Sequence, residues 1–276
     1  MTAIRLTVLV ENTVNTAGLL AEHGLALWLE SGACNVLFDT GQTEILHRNA
    51  GLLGVDLRTV THIVLSHGHY DHTGGLASVL QQGSRPYVCL HPQALADGYV
   101  RRPDGTRRAV GMPNAARLLL RTAADIVEVT EPLELGRGLV VTGPVPRLSR
   151  FERPGGPFFR DEGCTVPDEV TADQALFCDT GMGLLVLLGC AHAGLINTLG
   201  YIRRLAPDRP FHTVIGGTHL LTAKPDRLES TIRALRDLGV RHLRLLHCTG
   251  FEAAARLCAA LPGRVAVAPA GTVLEF

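Results

Sequence analysis

Thr61-His62-Ile63-Val64-Leu65-Ser66-His67-Gly68-His69-Tyr70-Asp71-His72 changes character halfway along. Residues 61–65 are dominated by β-branched and apolar side chains and predict a short buried strand. The six that follow Ser66 hold three imidazoles and one carboxylate. His67 and His69 stand two apart just after a strand, so they can point the same way. Asp71 and His72 fall at the turn into the next helix and can reach across to a second position. One short loop can therefore offer ligands to two metals. Imidazole together with carboxylate suits Zn2+, with Mn2+ or Fe as substitutes. A polar helix-capping loop is the plain alternative, but so many packed polar groups are costly without a cation to satisfy them.

Working outward, strands are expected at 4–10, 24–29 and 35–38, then a helix over 43–53. After the histidines come a helix from about residue 75 and a strand at 86–90. The stretch 92–170 reads as a loop-rich elaboration, and such segments often cover active sites. It holds the basic run Arg101-Arg102-Pro103-Asp104-Gly105-Thr106-Arg107-Arg108, a helix at 114–124 and the Pro/Gly-rich Arg153-Pro154-Gly155-Gly156-Pro157. The basic run is expected to be a solvated turn. In the second half, strands at 174–178 and 184–189 precede a helix at 195–205. Strands at 211–215 and 242–246 flank a helix at 226–238. A helix at 252–261 and strands at 264–268 and 272–276 close the chain. This mixture implies sheets buried under helices, an α/β architecture, read as one domain over 1–276.

Bulk composition excludes several classes. With 46% hydrophobic and 19% charged residues, the 276-residue chain can build a sizeable core and is not disordered. Lys+Arg and Asp+Glu both total 26, which leaves no net charge to attract nucleic acid or an anionic membrane. The seven cysteines are odd in number and contain no Cys-x-x-Cys pair, which argues against a disulfide framework or a thiolate zinc knuckle. No apolar run has the length of a membrane span, and no signal segment stands at the N-terminus. The expected setting is the cytoplasm, and the expected partner is a small-molecule substrate, with self-association into a homo-oligomer left open.

Three later histidines follow strand-like runs, where ligands usually lie in α/β sheets. They are His192 in Gly189-Cys190-Ala191-His192-Ala193-Gly194, His219 in Gly216-Gly217-Thr218-His219, and His247 in His247-Cys248-Thr249-Gly250. Any one of them could be a satisfied core histidine. Three at equivalent strand ends are better explained by convergence on one site. Asp39, closing a strand, has two readings: an acceptor that orients a ligating imidazole, or a turn-capping carboxylate. Cys190 is either a soft ligand or a small buried residue beside the site, and the common burial of free cysteine favours the second.

The His67-to-His72 segment, with Phe38-Asp39-Thr40-Gly41 upstream, resembles the metallo-β-lactamase superfamily. That resemblance implies an αββα four-layer sandwich with two metals at one edge of the paired sheets. Glu22-His23-Gly24-Leu25, the 189–194 segment, the His219 segment and His247-Cys248-Thr249-Gly250 are similar to the branch of dihydropterin–ribofuranosylaminobenzene phosphate synthases. Carried over by position, His67, His69 and His192 would bind one metal, and Asp71, His72 and His247 the other. The same likeness implies substrate-side roles for Asn12, His23 and Arg147. Two departures stand out. Many relatives have Gly-Asp where this chain has Gly189-Cys190, with the Asp bridging both metals, and Val141-Thr142-Gly143-Pro144-Val145-Pro146-Arg147 lacks a histidine found near there.

Two bound metals would acidify a water between them and polarise the scissile bond. Asp71 would hold its metal and orient the nucleophile, and His219 would stabilise the oxyanion or protonate the leaving group. The expected reaction is hydrolysis or transfer at an ester, phosphate-containing or pterin-related. A lactonase or β-lactamase-like hydrolase is one alternative, and a non-hydrolytic di-iron oxygen-binding protein is another.

Overall fold

The computed structural model describes residues 3–32, 34–136, 138–152 and 156–276. Met1, Thr2 and Arg153-Pro154-Gly155 of the Pro/Gly-rich run lie outside them. Two seven-stranded sheets stack face to face. In spatial order the first contains Val273–Glu275, Ile4–Val10, Ala26–Ser31, Cys34–Phe38, His62–Val64, Tyr87–Leu90 and Asp125–Glu128. The second contains Val265–Val267, His242–Leu245, Phe211–Gly216, Leu184–Leu188, Leu176–Asp179, Leu139–Val141 and Leu133–Gly136.

The strand Leu184–Leu188 has five consecutive apolar residues, all buried. A run with no alternation suits a strand covered on both faces, as parallel neighbours under helices demand. It pairs parallel with Phe211–Gly216, Leu187 opposite Ile215. Between the sheets lie Leu6, Leu27, Val36, Leu185, Leu187 and Ile215, none of them exposed to solvent. Each such buried side chain contributes roughly 1.5–3 kcal/mol relative to an exposed one.

Helices close the outer faces. In Leu195–Leu205 the buried residues Leu195, Leu199 and Ile202 recur at helical spacing and pack on the second sheet. Pro225–Asp237 starts on a proline, whose fixed φ suits a first turn, and buries Leu228, Ile232 and Leu235. On the first sheet, Trp28 and Leu37 meet Leu46 of Ile45–Leu52, Leu76 of Leu76–Leu80 and Leu120 of Asn114–Ala123. The order is helix, sheet, sheet, helix. No helix among the described residues is long and apolar enough to cross a membrane.

Most expected elements sit within two residues of the observed ones. The strand expected at 24–29 runs instead over Ala26–Ser31, because Leu25 donates its backbone N–H to the Asp71 carbonyl at the site edge. The stretch 92–170 holds more sheet than a loop-rich reading suggests. Asp125–Glu128 ends the first large sheet, while Leu139–Val141 and Leu133–Gly136 end the second. Phe158–Phe159, Tyr99–Arg101 and Arg107–Ala109 form a third, small sheet. These strands are too short to show a period, and their partners are distant in sequence.

In both large sheets the parallel strands point their C-terminal ends to the same edge. Asp39 and the 66–72 loop leave the first sheet there, and His192, His219 and His247 leave the second.

Candidate metal centre

Asp39 is fully buried between the strands that carry the histidines. The Ser66 backbone N–H donates to its Oδ1 at 2.7 Å, the Ser66 hydroxyl to its Oδ2 at 2.7 Å, and His72 Nδ1–H to Oδ2 at 2.6 Å. The Ser66 oxygen is then free to accept from His67 Nδ1–H at 2.9 Å. Across the site, His247 Nδ1–H donates to Asn12 Oδ1 at 2.8 Å, and that oxygen also takes the Gly24 N–H. These partners assign one tautomer to all three rings, protonated at Nδ1 with the Nε2 lone pair free.

The free nitrogens point toward further donor atoms. His67 Nε2 lies 2.9 Å from His69 Nδ1, and His72 Nε2 lies 3.2 Å from His247 Nε2. Asp71 Oδ2 stands 3.3 Å from His247 Nε2 and 3.7 Å from His72 Nε2. The facing Nε2 lone pairs of His72 and His247 repel unless positive charge lies between them. His192 adds an independent sign: its ring is buried, and neither nitrogen has a hydrogen-bond partner. An unmet buried polar atom costs about 1–3 kcal/mol. Its donor atom lies within 4.8 Å of those of His67 and His69. These residues fit a cation at each of two positions.

Electrostatics agree with that fit. Burial and the neighbouring imidazoles hold His67 and His192 well below the ordinary histidine value, and His69 falls to about 4 mainly through burial. All three are neutral donors at neutral pH. At Asp71 burial opposes the charge, yet His72 and His247 keep the carboxyl well below the usual carboxylate range. Burial likewise opposes charge on His72, but Asp39 and Asp71 raise it to about 9. That position attracts positive charge, which a proton or a divalent metal can supply.

The local backbone is built for the site. Asp39, Ala191, His219 and His247 all have φ between 49° and 58°. Non-glycine residues in sparsely populated backbone regions cost of order 1–3 kcal/mol each, and they cluster where a site requires sharp turns. Gly189 allows the sheets to touch, since a Cβ there would lie 2.0 Å from Ser66 Oγ.

His219 lines the same cavity as His192, their ring centres 4.5 Å apart, but belongs to none of the donor clusters among the described residues. His23 places Nδ1 3.4 Å from Asp71 Oδ2 and reaches solvent. Asn12 acts on His247 from behind the cavity. Arg147 is elsewhere: its guanidinium donates to the carbonyls of Glu169 and Val170, and it does not line the cavity. Its place in the chain matched a substrate-side position, but its side chain turns away to tie down a neighbouring segment. Cys190 is buried, though not among apolar groups, for its Sγ lies 3.2 Å from His72 Nε2.

Sequence reasoning missed five contributors. Ser66 relays Asp39 to His67, and its position directly before the histidines was the available signal. Glu11 Oε1 accepts the His247 backbone N–H at 2.6 Å. Asp173 Oδ2 accepts from the Ala193 backbone at 2.8 Å and steadies the His192 loop. Burial pushes the Asp173 carboxyl up to about 7 against the hydrogen bonds from Ala193 and His192. Phe158, from the small sheet, covers His69 with ring centres 4.7 Å apart. Arg108 lays its guanidinium 4.5 Å above the Tyr70 ring, so one residue of the expected solvated turn joins the cavity wall.

The model of the metallo-β-lactamase superfamily matches residues 21–168, more than half of the chain. The chain belongs to the metallo-β-lactamase superfamily. It is 31% identical over 251 residues to an uncharacterized protein of Methanocaldococcus jannaschii, covering 91% of this chain and 92% of that one. It is 28% identical over 243 residues to the 7,8-dihydropterin-6-methyl-4-(beta-D-ribofuranosyl)-aminobenzene-5'-phosphate synthase of the same organism, covering 84% and 83%. The crystal structure of a metal-dependent hydrolase of the β-lactamase superfamily superposes with a TM-score of 0.84 at 31% identity, covering 99% of both chains. Metal binding is a property of this superfamily, and the clustered His, Asp and Cys donors lie at the edge of the paired sheets.

Asp39→Asn tests the orienting network. Asparagine tolerates the φ of 58° but cannot accept all three hydrogen bonds. Metal affinity, read by competition with a chromophoric chelator, is expected to fall about 10–100-fold with the fold retained. Unchanged affinity would reduce Asp39 to a turn cap.

Proposed function

We propose that this superfamily member is a metal-dependent hydrolase that holds two divalent ions, zinc by preference, and cleaves an ester with a phosphate-containing or pterin-related substrate. The observation that carries the reading is the cluster of His67, His69 and the unpartnered His192 beside the mutually close Asp71, His72 and His247. His67, His69 and His192 would hold one ion, and Asp71, His72 and His247 the other. When bound, such ions acidify water and polarise the scissile bond.

The residues supply the rest. Asp71 Oδ2, faced by His72, His247 and His23, holds a carboxylate where a proton must be oriented or passed. His219, on the cavity wall beside His192, stands where it can donate a proton to the leaving oxygen. The cavity measures about 250 Å³, and Val100, Val110, Phe158 and Leu221 line it opposite the histidines, with Tyr70 and Arg108 beside them. An apolar patch with Arg108 beside it suits a flat apolar group bearing an anion, which favours a small molecule over nucleic acid. The resemblance to a pterin phosphate synthase points the same way.

Protein purified without chelator is expected to carry close to two equivalents of zinc by elemental analysis. A reproducible value near zero after metal supplementation would sink the two-metal reading. A panel of phosphodiesters, phosphomonoesters, lactones and β-lactams then locates the substrate. Turnover of lactones or β-lactams alone would move the reaction to a carbonyl. Iron with a visible absorption band and no hydrolysis would point to oxygen chemistry instead.

A further inference from the structure

Cys190 has the wrong surroundings for a packing residue. Its Sγ lies with donor atoms of His67 and His72 in one group, all within 4.8 Å of one another, and with those of His247 and Cys248 in a second such group. One sulfur is thus close to residues from both donor sets. It approaches His72 Nε2 to 3.2 Å, on the face of that ring left without a proton once Nδ1 donates to Asp39.

The backbone on either side of Cys190 is tightly constrained. Gly189 is pressed against Ser66, and Ala191 on the other side has a φ of 53°. The neighbouring sulfur is occupied otherwise: Cys248 Sγ accepts the His219 backbone N–H at 3.3 Å and lies 3.5 Å from the Cys190 carbonyl oxygen. The unpartnered, buried His192 lines the same cavity and marks it independently as a place for a cation.

We propose that Cys190 is a metal ligand whose thiolate lies between the two donor sets and binds the ions of both. This rests on the two-metal reading above. On binding, the thiol proton leaves to solvent and sulfur–metal bonds form, with no change of oxidation state. A soft thiolate among imidazoles favours Zn2+ or Co2+ over Mn2+ and Mg2+, so this one residue would set the metal preference of the site.

Cobalt-substituted protein provides the test. Wild type is expected to bind two equivalents of Co2+ and to show a sulfur-to-cobalt charge-transfer band in the near ultraviolet. Cys190→Ser loses the band, Cys190→Asp loses it but keeps two equivalents, and Cys248→Ser retains it. X-ray absorption of the unaltered zinc protein, which needs no variant to fold, is expected to show a sulfur neighbour at about 2.3 Å. Two bound equivalents without a band or a sulfur neighbour overturn the thiolate and leave the two-metal reading standing. A band that saturates at one equivalent overturns both. A band that persists in Cys190→Ser and disappears in Cys248→Ser assigns the sulfur to the wrong cysteine and overturns the proposal.

Discussion

Asp71→Asn is expected to abolish turnover and release the ion held with His72 and His247, with the fold intact. The carboxylate oxygen stands within 3.7 Å of nitrogens from three imidazoles, His23, His72 and His247. No other carboxylate among the described residues takes part in the donor clusters. An amide of the same shape removes the negative charge and leaves a buried group of rings without compensation. The change sits on the single-turn helix Tyr70–Thr73, and the structural bond made there by the Asp71 backbone carbonyl is untouched. Far-ultraviolet circular dichroism should therefore match the wild type. Elemental analysis should fall toward one equivalent, and kcat on any substrate found by the panel should drop at least about tenfold. A variant that keeps more than about a tenth of wild-type kcat would show that Asp71 neither holds a metal nor orients the nucleophile.

The second large effect separates His192 from His219, neighbours whose rings lie 4.5 Å apart. His192→Ala removes a donor from the set with His67 and His69, so metal stoichiometry is expected to fall. It also removes two unpartnered buried nitrogens, so the metal-free protein need not lose stability. His219→Asn has the opposite signature. Asparagine accommodates the φ of 49° better than alanine, and both metals should remain. The rate should fall about 10²–10⁴-fold, the usual contribution of a positioned proton donor. Metal loss in His219→Asn alone would show that the two roles have been exchanged, and equal loss in both variants would make both residues ligands. Measuring metal content and kcat on the same preparations keeps the outcomes apart.

Much of the fold could be read along the chain. The unbroken apolar run of Leu184–Leu188 implies a strand covered on both faces, and the spacing of Leu228, Ile232 and Leu235 implies a helix with one buried side. The short strands Phe158–Phe159, Tyr99–Arg101 and Arg107–Ala109 could not be read. Two or three residues carry no period, and their sheet exists only because distant segments meet. That meeting places Phe158 and Arg108 over the histidines.

The site divides along the same line. The donor types and the separation of His67 and His69 from Asp71 and His72 follow from residues adjacent in sequence, because local backbone period dictates where neighbouring side chains point. Histidines at the ends of parallel strands are legible for a similar reason. Only the tertiary structure decided that Asp39 serves both Ser66 and His72, that Arg147 turns away, and that the Cys190 sulfur faces His72. His247 is joined to Glu11 and Asn12, which lie at the other end of the chain. Such contacts depend on how two sheets stack and how closely Gly189 lets them approach Ser66. Stacking is settled by the whole buried core, and no local stretch of sequence contains it.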